Sequence, residues 1–213
     1  MFPWALGLVL VAPWVAAAPP AAVVGSVNGD PITAQCYVEA LRRHRTREPD
    51  VAALHQAALH DCIRFAVILQ LARREGVIAN VSDAGLRSLW MKENDRRART
   101  LAAGGIIYGP RHLTWEQYRS YWLDGVLRDL TVALARTAGP ESDAQLAHFL
   151  EEHAARFTPH GGKTPQPLSA QRDHVRAEYR RDACERAIRR AIARANVVVD
   201  APVAARLTPN TVP

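Results

Sequence analysis

Residues 62–72, CIRFAVILQLA, decide how the chain folds. They are apolar around nearly the whole circumference of a helix, and a helix of that kind belongs at the centre of a core. The helix extends over about 51–75, after a break at Glu48-Pro49-Asp50. Upstream, residues 34–46 place Tyr37, Ala40, Leu41 and His44 on one side at helical spacing, with Arg42, Arg43 and Arg45 largely off it. Thr33 caps that helix, and AVVGSVNGDPIT at 22–33 reads as a short strand followed by a turn at Asn28-Gly29-Asp30. Downstream, Ser82-Asp83 opens a third helix carrying Leu86, Leu89 and Trp90, which runs into the polar KENDRRART and ends near Gly104-Gly105. Thr114 opens a fourth, with Gln117 as its capping-box partner and a core face of Trp115, Tyr118, Trp122, Val126, Leu130 and Ala133 or Leu134. A fifth starts at Pro140-Glu141-Ser142-Asp143 with Leu146, Phe149, Leu150, His153 and Phe157 on one face. Residues 158–168, TPHGGKTPQPL, form a linker or exposed loop. A sixth helix runs from Ser169 to about Ala195, and VVVD at 197–200 is a second short strand.

The expected fold is therefore mainly α, with about six helices and a small sheet made by the two ends of the domain. Residues 22–27 should pair with 196–200, because neither segment otherwise has a partner for its backbone groups. The three prolines after Ala201 suggest a flexible tail over 201–213.

The 213 residues, 48% hydrophobic and 23% charged, suffice for one domain with a real core. The net charge is +6, and apart from Lys92 and Lys163 every basic residue other than histidine is arginine. Three cysteines, at 36, 62 and 184, exclude a disulfide-rich scaffold and a zinc ribbon. The first 29 residues carry no charged side chain, and the apolar run Trp4 to Ala18 ends in Ala16-Ala17-Ala18. Residues 1–18 thus read as a secretory signal, or as an anchor if uncleaved, although MFPW lacks a lysine or arginine. Export to a periplasmic or other extracytoplasmic space follows, with membrane contact only through that segment, and the domain spans 19–200.

Four segments together resemble the SurA/PrsA type of exported foldase, a family of peptidyl-prolyl isomerases. VVGSVNGDPIT resembles the opening strand, turn and helix start of the chaperone domain, and LTWEQYRSYWLDGVLRDL resembles an internal helix. ESDAQLAHFLEEHAARF is similar to the helix that precedes the isomerase domain, and LSAQRDHVRAEYRRDACERAIRRAIARANVVVD to the closing helix and strand. The resemblance implies a fold like the N-terminal domain of SurA and a chaperone or holdase binding unfolded or exported clients. In the family a parvulin domain lies between the last two segments. Here residues 158–168 occupy that place, too few for a folded domain of about 50 residues, so the catalytic domain is expected to be absent.

Apolar residues left over once a core is filled are what a client site needs. Trp90, Met91, Ile106, Ile107, Tyr108 and Tyr121 are the candidates, within a wider set that includes Trp115, Tyr118 and Trp122. Tyr121 and Trp122 are neighbours and cannot share one core face. No catalytic residue, metal ligand or cofactor is expected. GxSxG, P-loop, GxGxxG and HExxH motifs are absent, and His55/His60 and His148/His153 have the wrong spacing for a metal pair on a helix. An envelope assembly protein with one dedicated partner is the alternative. A weaker one is nucleic-acid or anionic-lipid binding by Arg172, Arg176, Arg180, Arg186, Arg190 and Arg194, whose interleaved acids instead suggest a solvated face without nucleic acid. Finally, if 34–46 and 51–75 form an antiparallel hairpin about Pro49, Cys36 and Cys62 fall at matching heights. They would form either a disulfide worth about 3 kcal/mol or two buried thiols in contact.

Overall fold

The computed structural model describes residues 22–48, 50–160, 162 and 164–211; the expected signal at 1–18 lies outside them. The chain forms β1 (Val23–Val27), β2 (Asp30–Thr33), α1 (Ala34–His44), α2 (Val51–Arg74), α3 (Asp83–Ala102) and α4 (Trp115–Ala138). There follow α5 (Asp143–Glu152), α6 (Ala154–Phe157), α7 (Leu168–Ala193), β3 (Val197–Val199) and α8 (Ala201–Arg206). The fold is mainly helical with one three-stranded antiparallel sheet, ordered β2-β1-β3.

The ends of the domain pair as expected, Gly25 opposite Val199 and Val27 opposite Val197. A Cβ on Gly25 would sit 2.2 Å from the Val198 carbonyl oxygen, so only glycine lets β3 approach this closely. Strand β2 differs from the expectation of a plain turn running into a helix cap. Asn28 and Gly29 both have positive φ, 51° and 88°, the two-residue geometry that folds a strand straight back on its neighbour. Asp30 to Thr33 therefore pair with β1, and Pro31 is tolerated because β2 is an edge strand. Thr33 then caps α1 by accepting from the Cys36 N–H.

Helix α2 is central, packing against α1, α4, α7 and the sheet. Ala58, Cys62, Val67, Ile68, Leu71 and Ala72 are its buried residues, joined by Tyr37 and Leu41 of α1, Val126 and Leu130 of α4 and Ile188 of α7. Helices α1 and α2 pack against each other, with Tyr37 Oη 2.8 Å from His55 Nδ1 and His44 Nε2 2.9 Å from the Asp61 carboxylate.

A second cluster, Leu146, Phe149, Leu150, Phe157 and Val175, joins α5 and α6 to α7. Ser142 and Gln145 form a capping box at the start of α5, and Thr114 and Gln117 form the expected one on α4. Two short helices raise the number among the described residues to eight against about six expected. One is α6, after a break at His153; the other is α8, where a flexible tail was expected. Asp200 caps α8 by accepting from the Val203 N–H, and Pro202 sits in the first turn, where a missing N–H costs nothing. Ala204 is buried, and Arg42 donates to the Pro209 and Thr211 carbonyls at 2.8 and 3.0 Å.

Candidate functional site

The α3–α4 connection is a loop hung on α3 by side chains. Asn94 both donates to the Leu113 carbonyl and accepts from the Leu113 N–H, at 3.0 and 2.8 Å. Trp90 Nε1 donates to the same carbonyl at 2.8 Å, and Arg97 donates to the carbonyls of Tyr108 and Pro110 at 3.2 and 2.8 Å. Arg97 is itself buried and paired with Glu93 at 2.9 Å. Bonds from Arg96 and Arg97 hold the Glu93 carboxyl below its usual pKa. Beneath the loop, Leu86, Leu113 and Tyr118 are buried, flanked by Val81, Trp90, Trp115 and Trp122.

Above this small core the loop and its helices leave apolar side chains in water. Ile106 is 83% and Tyr108 90% exposed, Tyr121 and Met91 more than half. Trp90, expected among them, is half-buried and packs edge-on against Trp115 with ring centroids 6.0 Å apart. Its hydrogen bond and ring contact make it part of the support, and Ile107 is likewise half-buried. Tyr118 is buried, whereas Trp122 joins the small core to the main one.

Glu39 links the hairpin formed by α3 and α4 to the rest of the molecule. Buried on α1, it accepts from Trp115 Nε1 at 2.7 Å, Arg119 Nη1 at 3.0 Å, Gln35 Nε2 at 3.1 Å and Arg87 Nη2 at 3.4 Å. Arg119 is buried beside it, with its guanidinium 4.2 Å from the centroid of the Phe65 ring. Burial alone would lower the Arg119 pKa, but the Cys36 sulfur and the Glu39 carboxylate raise it, so this arginine stays charged. Neither Glu39 nor Arg119 was expected as a site residue, although Arg119 falls four residues after Trp115 and three before Trp122, inside the aromatic stripe.

Arg119 Nη2 also lies 3.4 Å from Cys36 Sγ, and that sulfur is 2.7 Å from Cys62 Sγ. The two sulfurs are not joined in a disulfide and are brought together by the packing of α1 on α2. They line a cavity of about 440 Å³ walled by Ile32, Phe65, Ala66, Leu69, Ile78 and Val81, with Asp30, Arg73, Asn80 and Ser82 among its polar residues. Its volume falls in the range of small-ligand sites. The hydrogen bond to Cys36, followed by burial, pushes the Cys62 thiol far above its ordinary pKa.

The arginine stripe on α7 is largely neutralised. Arg180 donates to Glu141 at 2.6 and 2.9 Å, Arg176 pairs with Asp173 at 2.7 Å, and Arg172 pairs with Asp143. Arg181 pairs with Glu178 and Arg186 with Asp182, while Glu185 binds Arg64 at 2.8 Å. Glu141 and Asp143 come from the start of α5, beyond the partners within the helix that the spacing suggests, whereas Arg64 of α2 takes up Glu185. Among the described residues no three or more histidine, cysteine or acidic side chains converge as a metal site, and no helix is long and apolar enough to cross a membrane. Comparison with protein-family models, with curated proteins and with solved structures finds no match.

Proposed function

We propose that this protein is an exported chaperone or holdase that binds unfolded or partly folded polypeptides, with a fold of the SurA N-terminal kind and no prolyl-isomerase step. The observation that carries the reading is the anchored loop. Ile106 and Tyr108 stand in water although Arg97, Asn94 and Trp90 fix the backbone around them. Ordering a loop costs conformational entropy, and exposing apolar side chains on it forgoes the stabilisation of burying them. Both costs make sense if the surface is buried transiently against another chain's apolar segments. Export rests on the apolar character of residues 1–18, and the missing isomerase step on the brevity of 158–168.

The test is light scattering from a chemically unfolded client diluted into buffer with and without this protein. Wild type should slow aggregation, and the double substitution Ile106→Ser with Tyr108→Ser should lose most of that effect with its thermal unfolding unchanged. A wild-type protein without effect, or a double variant as good as wild type, would refute the reading.

A further inference from the structure

We infer that Cys36 and Cys62 form a thiol–disulfide exchange site opening on the cavity beside β2, with Cys36 as the attacking sulfur and Cys62 as the resolving one. Its substrate class is an accessible disulfide, or in the reverse direction a dithiol. The inference does not depend on the α3–α4 surface.

The assignment comes from the asymmetry of the pair. Cys36 is half-buried and lines the cavity, whereas Cys62 is 2% exposed. The Arg119 guanidinium lies against the Cys36 sulfur, placing a fixed positive charge where negative charge gathers during attack. Arg119 is held by Glu39 and by the Phe65 ring, so that charge is already oriented. Cys184, on α7, is 2% exposed, and its thiol is pushed up chiefly by burial.

In the exchange, Cys36 loses its proton and its thiolate attacks one sulfur of the incoming disulfide. The incoming S–S bond breaks, and the second sulfur leaves as a thiolate that takes up a proton. Cys36 is then in a mixed disulfide and can no longer hydrogen-bond Cys62 as before, which removes the chief cause holding the Cys62 proton. Cys62 gives up that proton and attacks Cys36 Sγ, 2.7 Å away in the dithiol form; the Cys36–Cys62 bond forms and the remaining sulfur departs and is protonated. The substrate gains two electrons and becomes two thiols, and the protein's dithiol becomes a disulfide. An incoming dithiol reverses each step.

The experiment equilibrates the full chain with graded mixtures of reduced and oxidised glutathione, quenches in acid, unfolds, alkylates and weighs. The expected result is a reversible passage from three alkylatable thiols to one as the mixture becomes more oxidising. Three thiols at every ratio, or one at every ratio, would overturn the inference. Cys62→Ala with oxidised glutathione should hold one glutathione on Cys36, formed about tenfold faster than any adduct on Cys184; equal rates would overturn it. Should that variant lose its native circular dichroism, native-state alkylation of wild type followed by peptide mapping serves instead. Cys36 should then react about tenfold faster than Cys62 and Cys184, and equal reactivity would refute the asymmetry. Replacing oxidised glutathione by a disulfide-bonded peptide separates the two sources, the faster substrate naming the one the cavity favours. Reaction with neither would contradict the site.

Discussion

The main core and the α3–α4 hairpin are built on opposite plans. Around α2, Leu41, Ile68, Leu130 and Ile188 are enclosed on every side, and aliphatic contact predominates. In the hairpin, three tryptophans pack around a core of only Leu86, Leu113 and Tyr118, and polar handles fix the loop whose apolar side chains face water. The first arrangement supplies stability and the second holds a surface in place. Glu39 joins them, since it lies on α1 and bonds to Arg87 of α3 and to Trp115 and Arg119 of α4.

If that contrast is real, truncation should be felt unequally. Leu130→Ala should cost about 4 kcal/mol and Leu86→Ala about 2 kcal/mol in urea unfolding, because the small core has fewer neighbours to lose. Equal costs would mean that the hairpin is as tightly built as the centre. Glu39→Gln should cost about 3 kcal/mol, since it leaves the buried Arg119 charge without its carboxylate. Hydrogen exchange in that variant should quicken in the hairpin more than in α2; a uniform change would deny Glu39 its linking role.

Acid sharpens the comparison further. Glu93 in the hairpin and Glu141 at the α5–α7 joint both have lowered folded-state pKa values, caused chiefly by bonds from Arg96 and from Arg180 respectively. Each contributes stability that is complete above the unfolded carboxyl value of about 4.3 and is lost as pH falls through the lower folded value. The melting temperature should therefore drop progressively below about pH 4, and less steeply in Glu93→Gln, whose side chain has no charge to lose. At the small end of the scale, Ile106→Ser with Tyr108→Ser should change stability by no more than about 0.5 kcal/mol, as expected of substitutions at solvent-exposed positions. A larger loss would show that these side chains support the loop instead of being displayed on it.

The elements that rest on local chemistry were legible in the sequence. CIRFAVILQLA marks the central helix, Thr114 with Gln117 marks a helix start, and two β-branched ends without other partners imply a sheet. Strand β2 was hidden because four residues containing a proline carry almost no strand pattern, and only the Asn28-Gly29 turn hints at it. Helix α8 was hidden because Pro202 reads as a breaker unless Asp200 is recognised as its cap. The exposed Ile106, Tyr108, Tyr121 and Met91 could be chosen as residues left over from any one core face, whereas Trp90 could not be sorted without its bond to Leu113. The Glu39–Arg119 pair joins positions 80 residues apart, and each charge alone looks like a solvated side chain. Cys36 and Cys62 lie in contact, as their matching heights on a hairpin suggest, with their sulfurs 2.7 Å apart.

The central claim is that unfolded polypeptide is bound by the hairpin and not by exposed apolar residues in general. Photo-crosslinking tests it directly, with a benzophenone side chain placed at Tyr108 in one variant and at Val198 of β3 in another, positions 90% and 57% exposed. A permanently unfolded client should be captured at position 108 several-fold more than at 198. Equal capture at the two positions, or more at 198, would contradict the account.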